Sequence, residues 1–353
     1  MEKKHVLVGM SGGVDSSVTA CLLLQQGYHV TGVHMITLPE SQGQSAEIED
    51  AQKVCDTLGI ELIVIDKRAE FQKEVIEYFV DEYQRGRTPN PCVVCNRKIK
   101  WPMLLHNQEQ IKVDYIATGH YAKIIQMENG RFAIKHAKTA TKDQTYMLFN
   151  LTQEQLAHTL FPLGDYEKED VREIAKNINA RIAAKNDSQE ICFVKTSDYV
   201  TFIEEFTHKE FVPGNYVDTD GNVIGKHKGI ARYTIGQRKG LDINLNKKAF
   251  VVDIDATTNE ITLGDNDDLY ASSCQFDQIN FMGIESIEGE LKAKAKARYS
   301  QKPSDCIITK IDKDNYLCTF TQAQRAMTPG QALVFYDDQG VILGGGLINK
   351  IIH

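Results

Sequence analysis

Val6-Leu7-Val8-Gly9-Met10-Ser11-Gly12-Gly13-Val14-Asp15-Ser16-Ser17 is the stretch around which the rest of this sequence can be arranged. Its pattern predicts a short apolar strand, a turn of small residues and a helix that continues to about Gln26. Gly12 and Gly13 permit backbone shapes that other residues avoid, and they let a ligand approach the main chain. The helix N-terminus behind the turn offers unpaired N–H groups and the positive end of the helix dipole. The stretch therefore predicts an anion-binding loop, in which Asp15 is able to hold a magnesium ion.

The spacing of the small residues excludes two common phosphate-binding motifs. No Gly-Lys-Ser/Thr follows the glycines, as a Walker loop requires, and the stretch has no Gly-x-Gly-x-x-Gly. The run from Ser11 to Ser16 instead resembles the pyrophosphate loop of enzymes that split ATP between its α and β phosphates and adenylate a substrate. The alternative is a glycine turn that binds nothing, but six matched positions at a strand-to-helix junction favour ATP.

Length and composition limit the class of protein. The chain has 353 residues, 42% of them hydrophobic, which suits two or three globular domains. It has no run of about 18 apolar residues, so we expect no membrane partner. The first strand begins almost at the N-terminus and leaves no room for a signal peptide, which predicts a cytoplasmic location. Eight dispersed cysteines fit that expectation, since most should be reduced.

Residues 1–120 alternate strand and helix patterns, which predicts a parallel sheet with helices on both faces. Ligands on such sheets bind at the C-terminal ends of the strands. The Ser11–Ser17 loop, Met35 and the pair Gly119-His120 all follow predicted strands in this way. We therefore expect them to form one nucleotide site.

The remaining two-thirds of the chain changes in character twice. Residues 135–205 read as mainly helical, and from about residue 206 glycine turns and β-branched runs predict strands, including a hairpin of Phe250–Ile254 with Glu260–Leu263. Leu291–Tyr299 alternates strictly, which predicts alanines towards the core and cations on the other face. Short, regularly spaced strands to the end predict a small barrel. We expect three domains, at residues 1–205, 206–275 and 276–353.

Two cysteines interrupt the alternating region. Cys92 and Cys95 follow an extended entry fixed by two prolines, and they could point at one ligand. A zinc site usually needs four ligands, and no second Cys-x-x-Cys occurs in the sequence. A thioredoxin-like pair would not need the cations Arg97, Lys98 and Lys100 behind it, which we expect to lower the thiol pKa values. Structural cysteines remain an alternative.

Three windows of the sequence carry five cations and no acid, although the whole chain has a net charge of −8. Such clustering is typical of a nucleic-acid partner, while any one window alone is more typical of a solvated face. The windows are Arg85, Arg87, Arg97, Lys98 and Lys100; Lys226, Lys228, Arg232, Arg238 and Lys239; and Lys292, Lys294, Lys296, Arg298 and Lys302.

Taken together, these motifs resemble one family over essentially the whole chain, the bacterial tRNA-specific 2-thiouridylases of the MnmA type. The resemblance implies an adenine-nucleotide α-hydrolase-like (Rossmann-like) catalytic domain, a small central β-rich tRNA-binding domain and a C-terminal β-barrel. The motifs that carry it, in order, are Gly9–Ser16, Thr88-Pro89-Asn90-Pro91, Cys95-Asn96, Ala117-Thr118-Gly119-His120-Tyr121, Lys142-Asp143-Gln144, Ile191-Cys192-Phe193, Thr234–Gly240 and Arg298-Tyr299.

The resemblance also implies a reaction and its residues. Uridine 34 of the tRNAs for Lys, Glu and Gln would be adenylated on its C2 oxygen and then receive sulfur. Cys95 would be the nucleophile, Cys192 would carry the sulfur and pair with Cys95 in a disulfide, and Asp15 would hold Mg²⁺ against the leaving pyrophosphate. ATP would contact Gly9, Met10, Ser11, Gly12, Gly13, Val14, Asp15, Ser16, Met35 and Gly119. The tRNA would contact Asn90, Pro91, Cys92, His120, Lys142, Asp143, Gln144, Arg298, Tyr299 and Gln331.

One departure from the family bears on the mechanism. Where the family commonly has Asn-Pro-Asp, this chain has Asn90-Pro91-Cys92. We therefore expect one of two routes. Either Cys92, Cys95 and Cys192 hold a [4Fe–4S] cluster that binds free sulfide, or a sulfur-relay protein loads a persulfide on Cys192 without a cluster.

Two other classes of function are compatible with parts of the sequence. Another pyrophosphate-loop ligase, of the NAD or GMP synthetase type, would use the same loop but would need neither the cysteines nor the barrel. A non-catalytic tRNA-binding scaffold would keep the basic windows and an inactive loop.

Overall fold

A computed structural model describes residues 3–39, 44–185, 191–194, 198–245 and 247–353. Its N-terminal part alternates strands with helices, as predicted. The elements of this part are β1 His5–Gly9, α1 Val14–Gln25, β2 His29–Ile36, α2 Gln44–Leu58, β3 Leu62–Asp66, α3 Arg68–Phe71, α4 Glu77–Gln84, α5 Pro91–Cys95, α6 Trp101–Ile111, β4 Tyr115–Ala117, β5 Lys123–Gln126, β6 Phe132–Lys135, α7 Gln153–Ala157, β7 Thr159–Leu160, α8 Lys168–Ile178, α9 Ala180–Ala183 and α10 Tyr199–Thr207.

The N-terminal sheet is five-stranded and parallel, in the order β3-β2-β1-β4-β7. The order reverses between β1 and β4, which is where ligands bind in open α/β sheets. The prediction of a parallel sheet is confirmed. The prediction that residues 135–205 are mainly helical missed β7, because a strand of two residues has no periodicity to read.

The C-terminal part is built of strands. Its elements are β8 Gly214–Val217, β9 Val223–His227, β10 Phe250–Asp255, β11 Glu260–Gly264, β12 Tyr270–Phe281, β13 Glu290–Lys296, β14 Ser304–Lys310, β15 Tyr316–Arg325, β16 Ala332–Tyr336 and β17 Ile342–Ile352. The first four form a sheet in the order β10-β11-β8-β9, with the predicted hairpin at β10 and β11. The last six close into a barrel in the order β12-β15-β14-β13-β16-β17, as the strand spacing predicted. The predicted boundary after residue 275 falls inside β12, and the domain boundaries stay predictions.

Strand β13 corrects part of the alternation prediction. Ala295 is buried and Lys292 is exposed, as expected for a two-sided strand. Lys296, however, is only 8% exposed, and its ammonium lies 5.5 Å from the ring centroids of both Tyr146 and Tyr299. The strand meets another part of the protein at this point, so its outer face is no longer solvated. Two tyrosine rings replace water around the cation.

The barrel shares a hydrophobic core with the N-terminal part. Trp101, Tyr146 and Phe149 belong to the same buried cluster as Val334 and Tyr336 of β16. Tyr146 also donates a hydrogen bond of 2.8 Å to the carbonyl of Ala332. The barrel is therefore packed directly against the N-terminal part. Among the described residues, no helix is both long enough and apolar enough to cross a membrane.

Candidate nucleotide and thiol site

The loop between β1 and α1 has the backbone that its glycines predict. Gly12 has φ +70°, a left-handed conformation that favours glycine. A Cβ placed on Gly12 would lie 2.8 Å from the carbonyl oxygen of Glu47, so α2 leaves no room for a side chain. Gly13 is the N-cap of α1 and makes no side-chain cap. The N-terminal amides of α1 are thus not capped by the side chain that precedes them, which suits an anion site.

Serine hydroxyls hold the loop in shape from within. The Ser16 hydroxyl donates to the carbonyl of Gly13 and accepts from the backbone N–H of Ser11, each at 3.2 Å. The Ser17 hydroxyl donates to the same Gly13 carbonyl at 2.7 Å. These bonds fix the turn before any ligand arrives. A preformed turn lowers the entropy cost of binding phosphate.

Asp15 is held by two side chains that lie far from it in the sequence. The ammonium of Lys168, at the beginning of α8, lies 2.7 Å from Asp15 Oδ1. The Tyr121 hydroxyl donates to the same oxygen at 2.8 Å. Oδ2 of Asp15 accepts no hydrogen bond from any residue that the structure describes. One carboxylate oxygen therefore stays available for Mg²⁺, which commonly binds one or two carboxylates together with substrate phosphates.

A second lysine, Lys185, contacts the loop at Gly12. Lys185 donates to the carbonyl of Gly12 at 2.8 Å, and it lies 2.6 Å from Asp50 Oδ2 on α2. The hydrogen bond from Lys185 lowers the pKa of Asp50, so that carboxyl is ionised at neutral pH.

The predicted strand ends do converge beside this loop. Gly119, just after β4, packs against α1 so closely that a Cβ there would lie 2.8 Å from the carbonyl carbon of Asp15. Met10 donates its N–H to Val33 of β2 at 2.8 Å, and its carbonyl contacts the buried ring of His34. Met35 follows, half-buried against two core clusters. The structure thus brings these predicted ATP contacts together, while their roles remain predictions.

The cysteine motif forms a short helix with an unusual continuation. Pro91 occupies the first turn of α5, where its missing N–H costs nothing, and Cys95 is the last residue. A π-helical turn, Asn96–Lys100, follows at once, and Trp101 N–H donates to the carbonyl of Asn96. Such turns are rare and often occur at functional sites. Residues five apart lie on nearly the same side of a π-helical turn. Lys100 is therefore close to Cys95, and its charge acts on that thiol.

Cys95 and the two sequence neighbours of Cys192 belong to one core cluster. Cys95 packs at its edge, as does Ile191, and the buried Phe193 follows Cys192 directly. Cys92 and Cys192 are exposed, Cys95 is half-buried, and all eight cysteines of the chain are free thiols. The predicted loop that delivers Cys192 lies partly outside the described residues, at 186–190. The described residues place Cys192 close to Cys92 and Cys95 of helix α5, whose charges act on its thiol.

The prediction that cations lower the thiol pKa values is wrong in its net direction. Burial raises the pKa of Cys95 to about 11, and it also raises the pKa of Cys92 and Cys192. Lys100 alone among the three expected cations opposes this, because its charge favours all three thiolates. Arg97 instead donates to the carbonyl of Asn150, and Lys98 pairs with Glu74. Desolvation therefore wins over a single half-buried charge.

His120 lies between the two halves of the site. It directly follows Gly119, and its ring lies 5.6 Å from the ring of Trp101. Burial lowers its pKa well below the usual value, and the nearby charge of Lys100 lowers it further. His120 is therefore neutral at pH 7, with Nδ1 bonded to the Thr118 hydroxyl at 2.8 Å.

Several predicted tRNA contacts are used within the protein itself. Gln331 donates to the carbonyl of Thr88 at 2.7 Å, and Gln144 accepts from the N–H of Tyr121. Arg298 bonds to the carbonyl of Ile235 and to the Thr328 hydroxyl. The remaining contacts are those of Tyr299 with the Asp143 carbonyl, of Asp143 with His136 and Thr145, and of Asn90 with the sulfur of Met147. These residues therefore join segments of the site, whatever they do for tRNA.

The basic windows meet acids that lie elsewhere in the sequence. Four of the pairs are Arg87 with Glu82, Lys228 with Asp242, Arg232 with Glu204 and Lys294 with Asp338. Part of the positive charge of each window is therefore balanced by acids outside that window. Sequence windows count charge along the chain, whereas the acids approach from other elements.

The thiols do not converge on a single metal ion. Among the described residues, which include Cys92, Cys95 and Cys192, no three His, Cys, Asp or Glu side chains come together to hold one ion. The thiolate chemistry would suit iron, and each cysteine of a [4Fe–4S] cluster binds a different iron, so the cluster stays a prediction. We derive no step through one.

Sequence reasoning missed three side chains of the site: Tyr121 as a partner of Asp15, Lys168 and Lys185. Tyr121 stood in a recognised motif without a role. Lys168 lies 153 residues from Asp15. No local pattern relates residues so far apart, and only the packing of α8 on α1 brings them together.

Comparison with known proteins was made on the whole chain. Solved structures align weakly: an NMN synthetase from Francisella tularensis covers 60% of this chain and 79% of its own, with a TM-score of 0.35 and 16% identity. A 4-thiouridine synthetase in complex with RNA and ATP covers 57% of this chain and 50% of its own, with a TM-score of 0.36 and 17% identity. Similarity at this level carries no argument about function.

Sequence families match throughout. Three family models cover consecutive parts: a tRNA methyl transferase HUP domain at 4–196, a tRNA methyl transferase PRC-barrel domain at 200–265 and an aminomethyltransferase beta-barrel domain at 271–348. The tRNA-specific 2-thiouridylase MnmA of Lachnoclostridium phytofermentans is 50% identical over 98% of this chain and 100% of its own. That of Clostridioides difficile is 49% identical over 98% of each chain. The chain therefore belongs to the MnmA family of tRNA-specific 2-thiouridylases.

Proposed function

We propose that this enzyme uses ATP to adenylate the C2 oxygen of uridine 34 in the tRNAs for Lys, Glu and Gln, and then replaces that oxygen with sulfur. The single observation that supports the proposal is that Gly119 packs against Asp15 of the loop, while the next residue, His120, is close enough to Lys100 for that charge to lower its pKa. Lys100 follows the helix of Cys95 and also acts on the three thiols. Adenylation and sulfur transfer act on the same C2 carbonyl of the base, so the proposal requires the loop and the thiols to be neighbours.

The loop explains the first step. The uracil C2 oxygen is a poor leaving group, and attack on the α-phosphate of ATP converts it into an adenylate. The N-terminal amides of α1 and the Ser11 hydroxyl stabilise the charge of the departing pyrophosphate. Asp15 would hold Mg²⁺ through its available oxygen, and the ion would neutralise the phosphate oxygens.

The thiols explain the second step. The outer sulfur of a persulfide on Cys192 attacks C2, and AMP leaves with the C2 oxygen. Cys95 then attacks the sulfur of Cys192, and the electron pair of the broken S–S bond stays on the new thiocarbonyl sulfur. The products are 2-thiouridine and a Cys95–Cys192 disulfide, which a thiol reductant reopens. These free thiols need a reducing compartment, which supports the predicted cytoplasmic location.

The neutral state of His120 suits a base-binding role. A flipped uridine presents polar edges, and a neutral imidazole offers one donor and one acceptor. His120 follows Gly119, which packs against the loop, and it is near Lys100, which also acts on the thiols; this supports a role in orienting the base.

The sulfur source is the open part of the proposal. We take a persulfide delivered by a sulfur-relay protein as the proposed route, because it needs only the Cys95 and Cys192 thiols, and we keep sulfide bound to a cluster as the alternative. Iron and acid-labile sulfide should be quantified after anaerobic purification. We expect less than one iron per chain, and about four of each would establish the cluster route.

AMP formation tests the function against its alternatives. We expect AMP and pyrophosphate to appear only when unmodified tRNA is present. An NAD or GMP synthetase type of ligase would instead respond to a small acid and ammonia. A tRNA-binding scaffold would bind tRNA tightly and release no AMP.

A further inference from the structure

The pyrophosphate loop carries no cation of its own. No lysine or arginine lies between His5 and Gln25, so the motif lacks the lysine with which a Walker loop holds phosphates. The backbone amides of α1 and one magnesium ion would have to balance the triphosphate of ATP without it. Charge-assisted hydrogen bonds are about twice as strong as neutral ones, so added cations would be valuable here.

Lys168 is the first of two cations that reach the loop from outside. Its side chain is 7% exposed, and its ammonium lies 2.7 Å from Asp15 on the first turn of α1. The ring of Tyr121 lies 5.5 Å away and covers it on one side. Burying such a charge is costly and contributes little stability, which favours a role in ligand binding.

Lys185 is the second cation that reaches the loop from outside. It contacts the carbonyl of Gly12 at 2.8 Å, so the two ammonium groups bind the loop at positions 12 and 15, which flank Gly13 and Val14 in the sequence. Both lysines now pair with carboxylates, Asp15 and Asp50. Each carboxylate holds its ammonium close to the loop in the absence of phosphate. This arrangement preorganises two charges around the anion-binding turn.

We propose that Lys168 and Lys185 bind the β- and γ-phosphates of ATP, the group that leaves as pyrophosphate. Asp15 would hold Mg²⁺ through Oδ2, and Lys168 would turn from Oδ1 to the phosphates. The inference rests on the proposed function only in taking ATP as the ligand. It assigns to this chain the cations that its loop motif lacks.

The test compares two nucleotides that differ only in those phosphates. The dissociation constants of Mg·ATP and of AMP are measured by calorimetry on the full chain for wild type, Lys168→Met and Lys185→Met. We expect ATP binding to weaken about ten- to a hundredfold in each variant, with AMP binding changed less than about twofold. Lys176→Met is the control, because Lys176 is also on α8 but is exposed and paired with Glu173.

Three results would overturn the proposal. Equal weakening of ATP and AMP would show that the lysines only support the fold. Unchanged ATP binding would show that they do not meet the phosphates, and so would failure of Lys168→Arg and Lys185→Arg to bind ATP better than the Met variants. If Lys168→Met does not fold, Lys185→Met decides alone. Wild type that binds no ATP would refute the proposed function itself, which is a different outcome.

Discussion

At the scale of single residues, charge and burial have opposite effects on the pKa values of the site thiols. Lys100 lies below Cys95 in the π-helical turn and favours the thiolates of Cys92, Cys95 and Cys192, while burial disfavours them. The sequence correctly predicted that a nearby cation lowers the thiol pKa values. It wrongly predicted that their net shift is downward. Burial of a thiol depends on packing from other elements, which a local pattern of cations does not contain.

The first prediction concerns that charge. Replacing Lys100 with Met removes the cation, so the pKa of Cys95 rises further above its value of about 11. Alkylation of Cys95 by iodoacetamide at fixed pH should slow about three- to tenfold, since one pKa unit is a tenfold change. Mass spectrometry of the labelled peptide measures it. Lys98→Met, which breaks only the surface pair with Glu74, should leave the rate unchanged, and an equal effect of both variants would contradict the assignment.

The second prediction separates backbone strain from a clash. Gly12 and Gly59 have nearly the same positive φ, +70° and +67°, so alanine strains both by about 1 kcal/mol. Only at Gly12 would the added Cβ meet another element, the carbonyl of Glu47 at 2.8 Å, whereas nothing lies within 4 Å at Gly59.

We therefore expect Gly12→Ala to lose ATP binding by more than about tenfold and Gly59→Ala to keep it. Calorimetric titration with ATP, together with a thermal melt of each variant, checks both. Equal affinities of the two variants would show that α2 yields to the extra methyl group.

Elements show how the site is assembled from distant parts of the chain. The Thr88 segment that leads into α5 is fixed by the barrel, because Thr88 N–H donates to the carbonyl of Pro329 and Gln331 donates to the carbonyl of Thr88. The family resemblance predicts that Gln331 contacts tRNA. The structure supports a positioning role through the cysteine helix.

The third prediction distinguishes these two roles. Gln331→Ala frees the Thr88 carbonyl, so we expect kcat for thiolation to fall about tenfold with the KM for tRNA nearly unchanged. Gln322→Ala, an exposed glutamine on β15, is the control. A rise in KM with kcat intact would instead show that Gln331 mainly binds tRNA.

The whole molecule depends on the core that the barrel shares with the N-terminal part. The alternation of strands and helices was enough to predict the parallel sheet, and the regular spacing of short strands was enough to predict the barrel. Their common core was not predictable, because Tyr146 and Val334 are far apart in sequence and each reads only as buried. For the same reason the sequence pattern predicted Asp15 as a site residue but not Lys168 or Lys185.

The fourth prediction tests the shared core. The Tyr146 hydroxyl is fully buried and donates to Ala332 of the barrel, so Tyr146→Phe leaves that carbonyl unpaired. We expect a loss of about 1–2 kcal/mol in the free energy of unfolding by urea, felt by both parts in one transition. Tyr270→Phe removes an exposed hydroxyl and should cost little. Two separate transitions in the Tyr146 variant would mean that the parts fold independently.

The most direct measurement is sulfur transfer itself. Wild type, Cys95→Ser and Cys192→Ser are incubated anaerobically with ATP, Mg²⁺, a persulfide donor and unmodified tRNA for Lys, and the nucleosides are analysed by mass spectrometry. We predict 2-thiouridine at position 34 from wild type and none from either variant, while Cys192→Ser still releases pyrophosphate, because adenylation does not need that thiol. Thiouridine from Cys192→Ser at the wild-type rate, or none from wild type that releases AMP, would contradict it.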